Sequence, residues 1–270
     1  MKHAPEDLLQ PVLEIAHDAG RRILEIYESD FAVEAKEDRS PLTEADMASH
    51  REIVAGLRRL TPDIPVLSEE SGQIPYEERR RWQEYWLVDP LDGTREFIHR
   101  TGEFTINIAL IEQGVAVLGV IAEPLADRIY LGVPGYRAGC YRDGDFSTIA
   151  ISSRPVDRVR VLTSSRYHGA ALKRCLEQLQ ESFGAVEKIQ AGSALKFCRL
   201  AEGRGDIYPR FSPCCEWDTA AGQALVEAAG GAVVNLQFEP LRYNAGSSVA
   251  SPHFYALGDP EVDWREVLEI

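Results

Sequence analysis

The sequence predicts an α+β protein, with a mixed or antiparallel sheet in its N-terminal half and an alternating α/β arrangement in its C-terminal half. Three observations predict it. Two apolar runs, Phe104–Ile111 and Val115–Ala122, flank a Glu112-Gln113-Gly114 turn and read as paired buried strands. Beyond residue 154 the chain instead alternates strand-like and helix-like segments. Finally, 270 residues that are 44% hydrophobic can bury a large core, and a chain above ~250 residues tends to divide it in two. The polar stretch Ser152-Ser153-Arg154-Pro155 marks the division, giving subdomains 1–153 and 154–270.

In chain order, Leu9, Val12, Ile15, Ala16, Ala19, Ile23 and Ile26 recur at the helical period from Glu6 to about Ser29, with Pro11 tolerated in the early turns. After Phe31–Ala35, the polar segment 36–42 reads as a loop. Thr43-Glu44-Ala45-Asp46 then opens a second helix like a capping box with Asp in place of Glu, burying Met47, Ile53, Val54, Leu57 and Leu60. Pro65–Ser68 reads as a short strand ending on the acidic pair Glu69-Glu70, and Tyr76–Gln83 as a charged hairpin or helix. The apolar run Trp86-Leu87-Val88 is a buried strand that ends at Asp89; Pro90 and Leu91 turn the chain, and Asp92-Gly93-Thr94 opens a short helix. Arg128–Val133 and Arg137–Tyr141 add strands before the turn Asp143-Gly144-Asp145. In the second half, strands are expected over Val159–Thr163, Val186–Ile189, Asp206–Tyr208, Ala232–Asn235 and Tyr255–Leu257. Helices are expected over Ala170–Gln180, Ser193–Ala201 and Asp218–Ala229, the last N-capped by Asp218 and ended by Gly230-Gly231.

A formal net charge of −14 argues against nucleic-acid polymers or anionic lipid as main partners, because such binders carry basic patches. A small anionic substrate is compatible if metal ions or local Arg and Lys groups offset the field. The five cysteines form no C-x-x-C pair or His-Cys zinc spacing, and read as reduced thiols of a cytosolic protein; the vicinal pair Cys214-Cys215 is the alternative, redox-active reading. The N-terminus lacks the apolar core of a signal peptide, and no apolar run approaches the ~20 residues of a membrane helix. A cytoplasmic location is expected.

Taken singly, each acidic candidate has an ordinary reading: Asp46 complements a helix dipole, Glu69-Glu70 is a solvated pair, Asp218 is a cap. Taken together, Glu69, Asp89, Asp92 and Asp218 all stand at strand ends or helix starts, where side chains project into a cleft, and supply the hard oxygen ligands that Mg²⁺ or Mn²⁺ prefers. A calcium EF-hand loop does not fit, since aligning Gly93 with its glycine puts Val88, Pro90 and His99 where ligands belong; no G-x-x-x-x-G-K-[ST] phosphate loop occurs either.

Asp89-Pro90-Leu91-Asp92-Gly93-Thr94, the upstream Glu69-Glu70, Thr43-Glu44-Ala45-Asp46 and the late Trp217-Asp218-Thr219-Ala220-Ala221 together resemble the signatures of the inositol monophosphatase superfamily of metal-dependent, lithium-sensitive phosphatases. The likeness spans nearly the whole chain, in order, and implies a layered αβαβα sandwich of the sugar-phosphatase type. Within the superfamily, Thr94-Arg95-Glu96-Phe97, Gly192–Cys198 and Tyr208-Pro209-Arg210-Phe211 look most like the 3'(2'),5'-bisphosphate nucleotidases of the bacterial CysQ type; Ala194 and Tyr167 depart from that pattern.

The resemblance implies that Glu69, Asp89 and the Leu91 carbonyl hold one Mg²⁺ (or Mn²⁺), and Asp89, Asp92 and Asp218 a second. Catalysis would use two or three such ions. Thr94 and Asp46 would orient the attacking water and take its proton, with Glu69 and Asp89 as further catalytic groups. The reacting phosphate would rest on the amides of Gly93 and Thr94. Asp218, Ser193, Lys196 and Arg210, with Arg166 or His168, would contact the nucleotide. The implied reaction is hydrolysis of 3'-phosphoadenosine 5'-phosphate to AMP and phosphate, with the related phosphosulfate as a second substrate and sulfur assimilation as the setting. An inositol monophosphatase or fructose-1,6-bisphosphatase activity is the nearest alternative, and a non-catalytic nucleotide sensor the alternative of another class. A monomer or homodimer is expected. Relatives of this type add peripheral association with the cytoplasmic face of the inner membrane, for which the sequence shows no anchor.

Overall fold

Five layers stack in the order helices, sheet, helices, sheet, helices. The structure, a computed structural model, describes residues 3–29, 33–35, 41–72, 74–153, 155–164 and 169–268. Of the expected loop over 36–42, residues 36–40 lie outside them, as do Arg166, Tyr167 and His168, whereas Pro41 and Leu42 belong not to a loop but to a short strand paired with residues 33–35.

The chain begins with α1 (Pro5–Tyr27), β1 (Val33–Ala35), β2 (Pro41–Thr43) and α2 (Glu44–Leu60). Then come β3 (Val66–Ser68), α3 (Tyr76–Arg79), β4 (Glu84–Asp92), α4 (Thr94–Ile98), β5 (Thr105–Glu112), β6 (Val115–Glu123), β7 (Arg128–Val133), β8 (Arg137–Arg142) and β9 (Asp145–Thr148). The rest is β10 (Val159–Thr163), α5 (Ala170–Phe183), β11 (Val186–Gln190), α6 (Leu195–Ala201), β12 (Ile207–Arg210), α7 (Glu216–Ala228), β13 (Ala232–Asn235), β14 (Phe254–Leu257) and α8 (Trp264–Val267).

The larger sheet has the order β3-β4-β5-β6-β7-β8-β9, antiparallel throughout except for the parallel pair β3/β4. The smaller sheet runs β11-β10-β12-β14-β13, with β10 parallel to both β11 and β12 and the β14 pairs antiparallel. Short turns after β5, β7 and β8 favour antiparallel neighbours, whereas crossover helices α5 and α6 return β11 and β12 parallel to β10.

Alternation within the strands distributes the cores. On β4 and β5, Trp86, Val88, Ile106, Ile108 and Leu110 meet Val12, Ala16 and Ile23 of α1 and Ile53 and Leu57 of α2. The opposite face, with Tyr85, Leu87, Ala109 and Ile111, packs through Ala220, Ala221 and Leu225 of α7 onto Leu162, Tyr208 and Phe254 of the smaller sheet. A third core joins the far face of that sheet to α5 and α8 through Val161, Ile207, Leu179 and Trp264. No helix among the described residues is long and apolar enough to cross a membrane.

Helix α7 lies unusually close to the larger sheet. A side chain at Gly132 would place its Cβ 2.6 Å from the backbone of Leu225, and one at Gly119 would strike the carbonyl of Ala221. Glycine at these two strand positions is what lets the helix descend onto β6 and β7, and that descent carries the start of α7 to the end of β4.

Three further local expectations are corrected, and two elements are new. The strand does not end at Asp89: β4 continues to Asp92, and the register slips between the two aspartates in a bulge that keeps pairing with β5. Asp218 is not the N-cap of α7; Cys215 is, and Asp218 sits three residues inside the helix, where Oδ2 accepts a hydrogen bond from the Cys215 amide at 2.9 Å. Met47, Val54 and Leu60 are only half-buried on α2. The exposed edge strand β9 and the short α8 were not anticipated, because neither carries an apolar periodicity of useful length.

Candidate active site

The bulge in β4 is the origin of the site. A regular strand would turn residues 89 and 92 to opposite faces; the extra residue turns both toward α7, and Asp218 approaches from the helix start. One carboxylate oxygen from each of Asp89, Asp92 and Asp218 lies within 4.8 Å of the others. Glu69 follows β3, its amide bonded to the Val88 carbonyl at 3.0 Å, and its charge acts on all three aspartates without its oxygen joining that close group.

Burial and mutual repulsion act in the same direction here. Burial, then the charges of Glu69, Asp92 and Asp218, hold the Asp89 carboxyl well above the usual range, partly opposed by the Leu91 amide that donates to Asp89 Oδ1 at 3.0 Å. Burial likewise raises Asp92. Asp218 is pushed up to about 7 by burial and by the charge of Asp92. Three hard oxygen donors that resist ionisation beside one another are the donor set a small divalent cation relieves, so the residues fit such an ion.

Behind this corner, α2 supplies a second group of polar contacts. Asp46 is almost fully buried and accepts from the Thr43 amide (2.8 Å) and hydroxyl (2.6 Å) through Oδ2, and from Thr94 Oγ1 through Oδ1 at 3.2 Å. One turn on, Ser49 donates to the Pro90 carbonyl at 2.7 Å and the His50 ring meets Ser68 at 2.9 Å. Gly93 at φ 91° starts α4 in a left-handed conformation, and a Cβ there would strike Ser193 Oγ, so only glycine allows this approach.

The cleft in front of the aspartates encloses about 640 Å³ of space, its open mouth included. Lys196 and Arg210 line the wall facing Asp92 and Asp218. Lys196 Nζ is buried and donates to the carbonyls of Ala191 (3.1 Å) and Ser193 (2.6 Å), with the Tyr208 ring 5.3 Å away; burial brings its pKa down to about 8. Arg210 is braced by the carbonyls of Ser212 and Pro213 and by the Tyr208 hydroxyl. Ser193 Oγ lies 3.0 Å from the Asp92 carbonyl and 2.6 Å from that of Glu103, so its hydroxyl ties the cleft wall to the acidic corner.

The structure thus brings together Asp46, Asp89, Asp92, Thr94 and Asp218, with Gly93, Ser193, Lys196 and Arg210 around the same cleft. Sequence reasoning missed its aromatic wall, Phe197, Tyr208 and Phe254, whose ring centroids stand 5.2–5.6 Å apart. It also missed Ser49 and His50, whose spacing after Asp46 was the available signal, since i, i+3 and i+4 share one helix face. Cys214 and Cys215 flank the site, but burial pushes their thiols up to about 11 and about 12, away from reactive thiolates.

The profile of the inositol monophosphatase family matches residues 5–261 of this chain. The 3'(2'),5'-bisphosphate nucleotidase CysQ of Escherichia coli K12 is 43% identical over 249 residues, covering 92% of this chain and 98% of the relative. Its counterpart in Haemophilus influenzae is 36% identical over 98% of this chain and 97% of its own. The crystal structure of CysQ from Bacteroides thetaiotaomicron, a bacterial member of the inositol monophosphatase family, superposes with a TM-score of 0.81 at 38% identity, covering 92% of this chain and 96% of that one. With acidic corner, layered fold and near-complete coverage in agreement, the chain belongs to the inositol monophosphatase family of metal-dependent phosphatases.

Proposed function

We propose that this chain is a Mg²⁺-dependent 3'(2'),5'-bisphosphate nucleotidase that hydrolyses 3'-phosphoadenosine 5'-phosphate to AMP and phosphate, and accepts the corresponding phosphosulfate. The observation that carries the reading is the pairing, across one cleft, of an acidic corner with a cationic wall at Lys196 and Arg210. A substrate with two separated anionic groups uses both. Inositol monophosphate has one phosphate and brings no second anionic group to Lys196 and Arg210.

Residues 1–153 form the subdomain carrying most metal ligands, and 154–270 the one carrying Asp218 and the nucleotide side. Glu69, Asp89 and the Leu91 carbonyl would hold one cation, and Asp89, Asp92 and Asp218 another. Bound there, Mg²⁺ supplies charge neutralisation at the phosphoryl oxygens and acidification of water. The chain's own groups then do the positioning. Because Thr94 Oγ1 donates to Asp46, its lone pairs accept a hydrogen bond from the attacking water; as that water adds to phosphorus, Thr94 takes its proton and passes its own to Asp46 Oδ1, while the bond from phosphorus to the ribose oxygen breaks and that oxygen takes a proton from solvent water to leave as the hydroxyl of AMP. Burial of Asp46 among three donors keeps it oriented for this task. The amides of Gly93 and Thr94 receive the reacting phosphate, and Lys196 and Arg210 the second anionic group, which fixes the reacting end in line with the water.

Phosphate release measured side by side with the bisphosphate nucleotide, inositol 1-phosphate and fructose 1,6-bisphosphate tests the proposal. The nucleotide should be preferred by ~100-fold in kcat/KM, the worth of one or two charge-assisted hydrogen bonds. A preference for either of the other esters overturns it.

A further inference from the structure

Asn107 stands on the floor of the site. In the register of the larger sheet Asn107 is directly opposite Asp89, and Thr105 opposite Asp92. Residues 105, 107, 109 and 111 share the face of β5 that turns toward α7, the face occupied on β4 by Tyr85, Leu87 and then Asp89. Directly opposed side chains on one face have Cβ atoms about 4.5–5.5 Å apart, so Asn107 lies beside Asp89 and within reach of Asp92.

Both Asn107 and Thr105 are fully buried, and Thr105 Oγ1 donates to Asn107 Oδ1 at 3.1 Å. That bond turns the other end of the amide, Nδ2, toward the carboxylates. Nδ2 makes no hydrogen bond of good geometry in this structure, although it stands near enough to Asp92 to oppose the rise of its pKa. A buried N–H pair left without a well-aligned acceptor costs ~1–3 kcal/mol, so its presence beside Asp89 and Asp92 asks for a reason. A lysine at the same place would neutralise a ligand and compete with the cation; an apolar residue would leave Asp92 free to rotate. An amide donates without adding charge.

We infer that Asn107, held in orientation by Thr105, is a positioning residue that fixes the rotation of the Asp92 carboxylate so that it presents an oxygen to a bound cation. The inference rests on Asp92 being a metal ligand, and is independent of which phosphate ester the enzyme prefers. In the absence of substrate, Mn²⁺ titration of the protein, followed by calorimetry and by the spin-resonance signal of free Mn²⁺, reads it directly. Asn107→Leu, of similar volume but without the donor, should weaken Mn²⁺ binding about tenfold, as loss of an orienting partner of a ligand does. Thr105→Val should weaken it less, by about threefold, because Asn107 remains but is free to turn.

The double variant should bind no worse than Asn107→Leu alone, since Thr105 acts only through Asn107. Wild-type affinity in Asn107→Leu, or additive losses in the double variant, overturns the inference. If Asn107→Leu does not fold, Thr105→Val and the smaller Asn107→Ser are compared in the same titration: weakening in both, larger in Asn107→Ser, supports the inference, and wild-type affinity in Asn107→Ser or a larger loss in Thr105→Val overturns it. Failure of the nucleotide assignment would instead show as loss of substrate preference with these affinities unchanged.

Discussion

The two walls of the cleft are built on opposite electrostatic terms. The acidic corner gathers like charges that burial and mutual repulsion push toward protonation, with few donors to offset them. The cationic wall is braced at almost every turn: Lys196 by two carbonyls, Arg210 by two carbonyls and a phenol. The corner is therefore unfavourable until a cation arrives, whereas the wall is complete beforehand and pre-organised for an anion. Chemistry belongs to the strained side and selection to the satisfied one.

The largest expected break of this contrast is Asp89→Asn. Mg²⁺-dependent phosphate release should fall by more than ~10³-fold, as for loss of a main electrostatic stabiliser, while circular dichroism stays native. The same variant relieves repulsion, so in metal-free buffer its Tm should rise by roughly 2–4 °C for each kcal/mol relieved. Retained turnover removes the two-ion assignment; a fall in metal-free Tm removes the claim of strain.

Thr94→Val comes next, cutting the relay to Asp46 without touching a charge. Its kcat should drop ~10²–10³-fold at nearly constant nucleotide KM, and a change confined to KM would place Thr94 in binding instead.

Lys196→Met addresses the other wall. It should raise the KM for the bisphosphate nucleotide ~10–100-fold yet leave turnover of a simple phosphate monoester within about twofold. Equal losses on both substrates would merge the walls into one function. Stability should also suffer, because the Ala191 and Ser193 carbonyls lose their donor.

The smallest effect is on pH dependence. Asp218 titrates near 7 in the folded protein and at 3.8 as a free side chain, so without metal the folded form holds the extra proton between those values. Metal-free stability therefore declines as pH rises through that window, and the proton must leave before a cation binds. Mg²⁺ affinity should rise up to ~10-fold per pH unit below 7 and level off above it, read by calorimetry at several pH values. A flat profile would show that the aspartates are already ionised without the ion.

Much of this was legible in the residues. Asp92 and Thr94 stand at the junction of β4 and α4 and Asp46 is marked by its own capping sequence, so local spacing placed these at element boundaries, whereas Asp89 lies inside β4. The size of the bulge was not legible, because the slip depends on how β5 pairs with β4; Pro90, which cannot donate to the ladder, was its one local signal and read instead as a turn. Asp218 was misread as a cap for a similar reason: Asp at a helix start suits the cap and the third position equally, and the Cys215 amide decided between them. Asn107 and Thr105 look like ordinary strand residues until the register sets them opposite two aspartates.

By itself the sequence determined the chemical inventory and its local scaffolding: hard oxygen ligands, a capping box over Thr43–Asp46, a glycine beside the acidic pair at the start of a helix, and amphipathic segments that had to become these helices and strands. Short-range forces suffice for that, since caps, turns and periodicities act within a few residues. Only the tertiary structure decided that Asp218 descends on α7 to meet Asp89 and Asp92, that Lys196 and Arg210 face them, and that Asn107 lies beneath. Those placements depend on close packing of α7 against Gly119 and Gly132 and on strand register, which long-range burial alone selects.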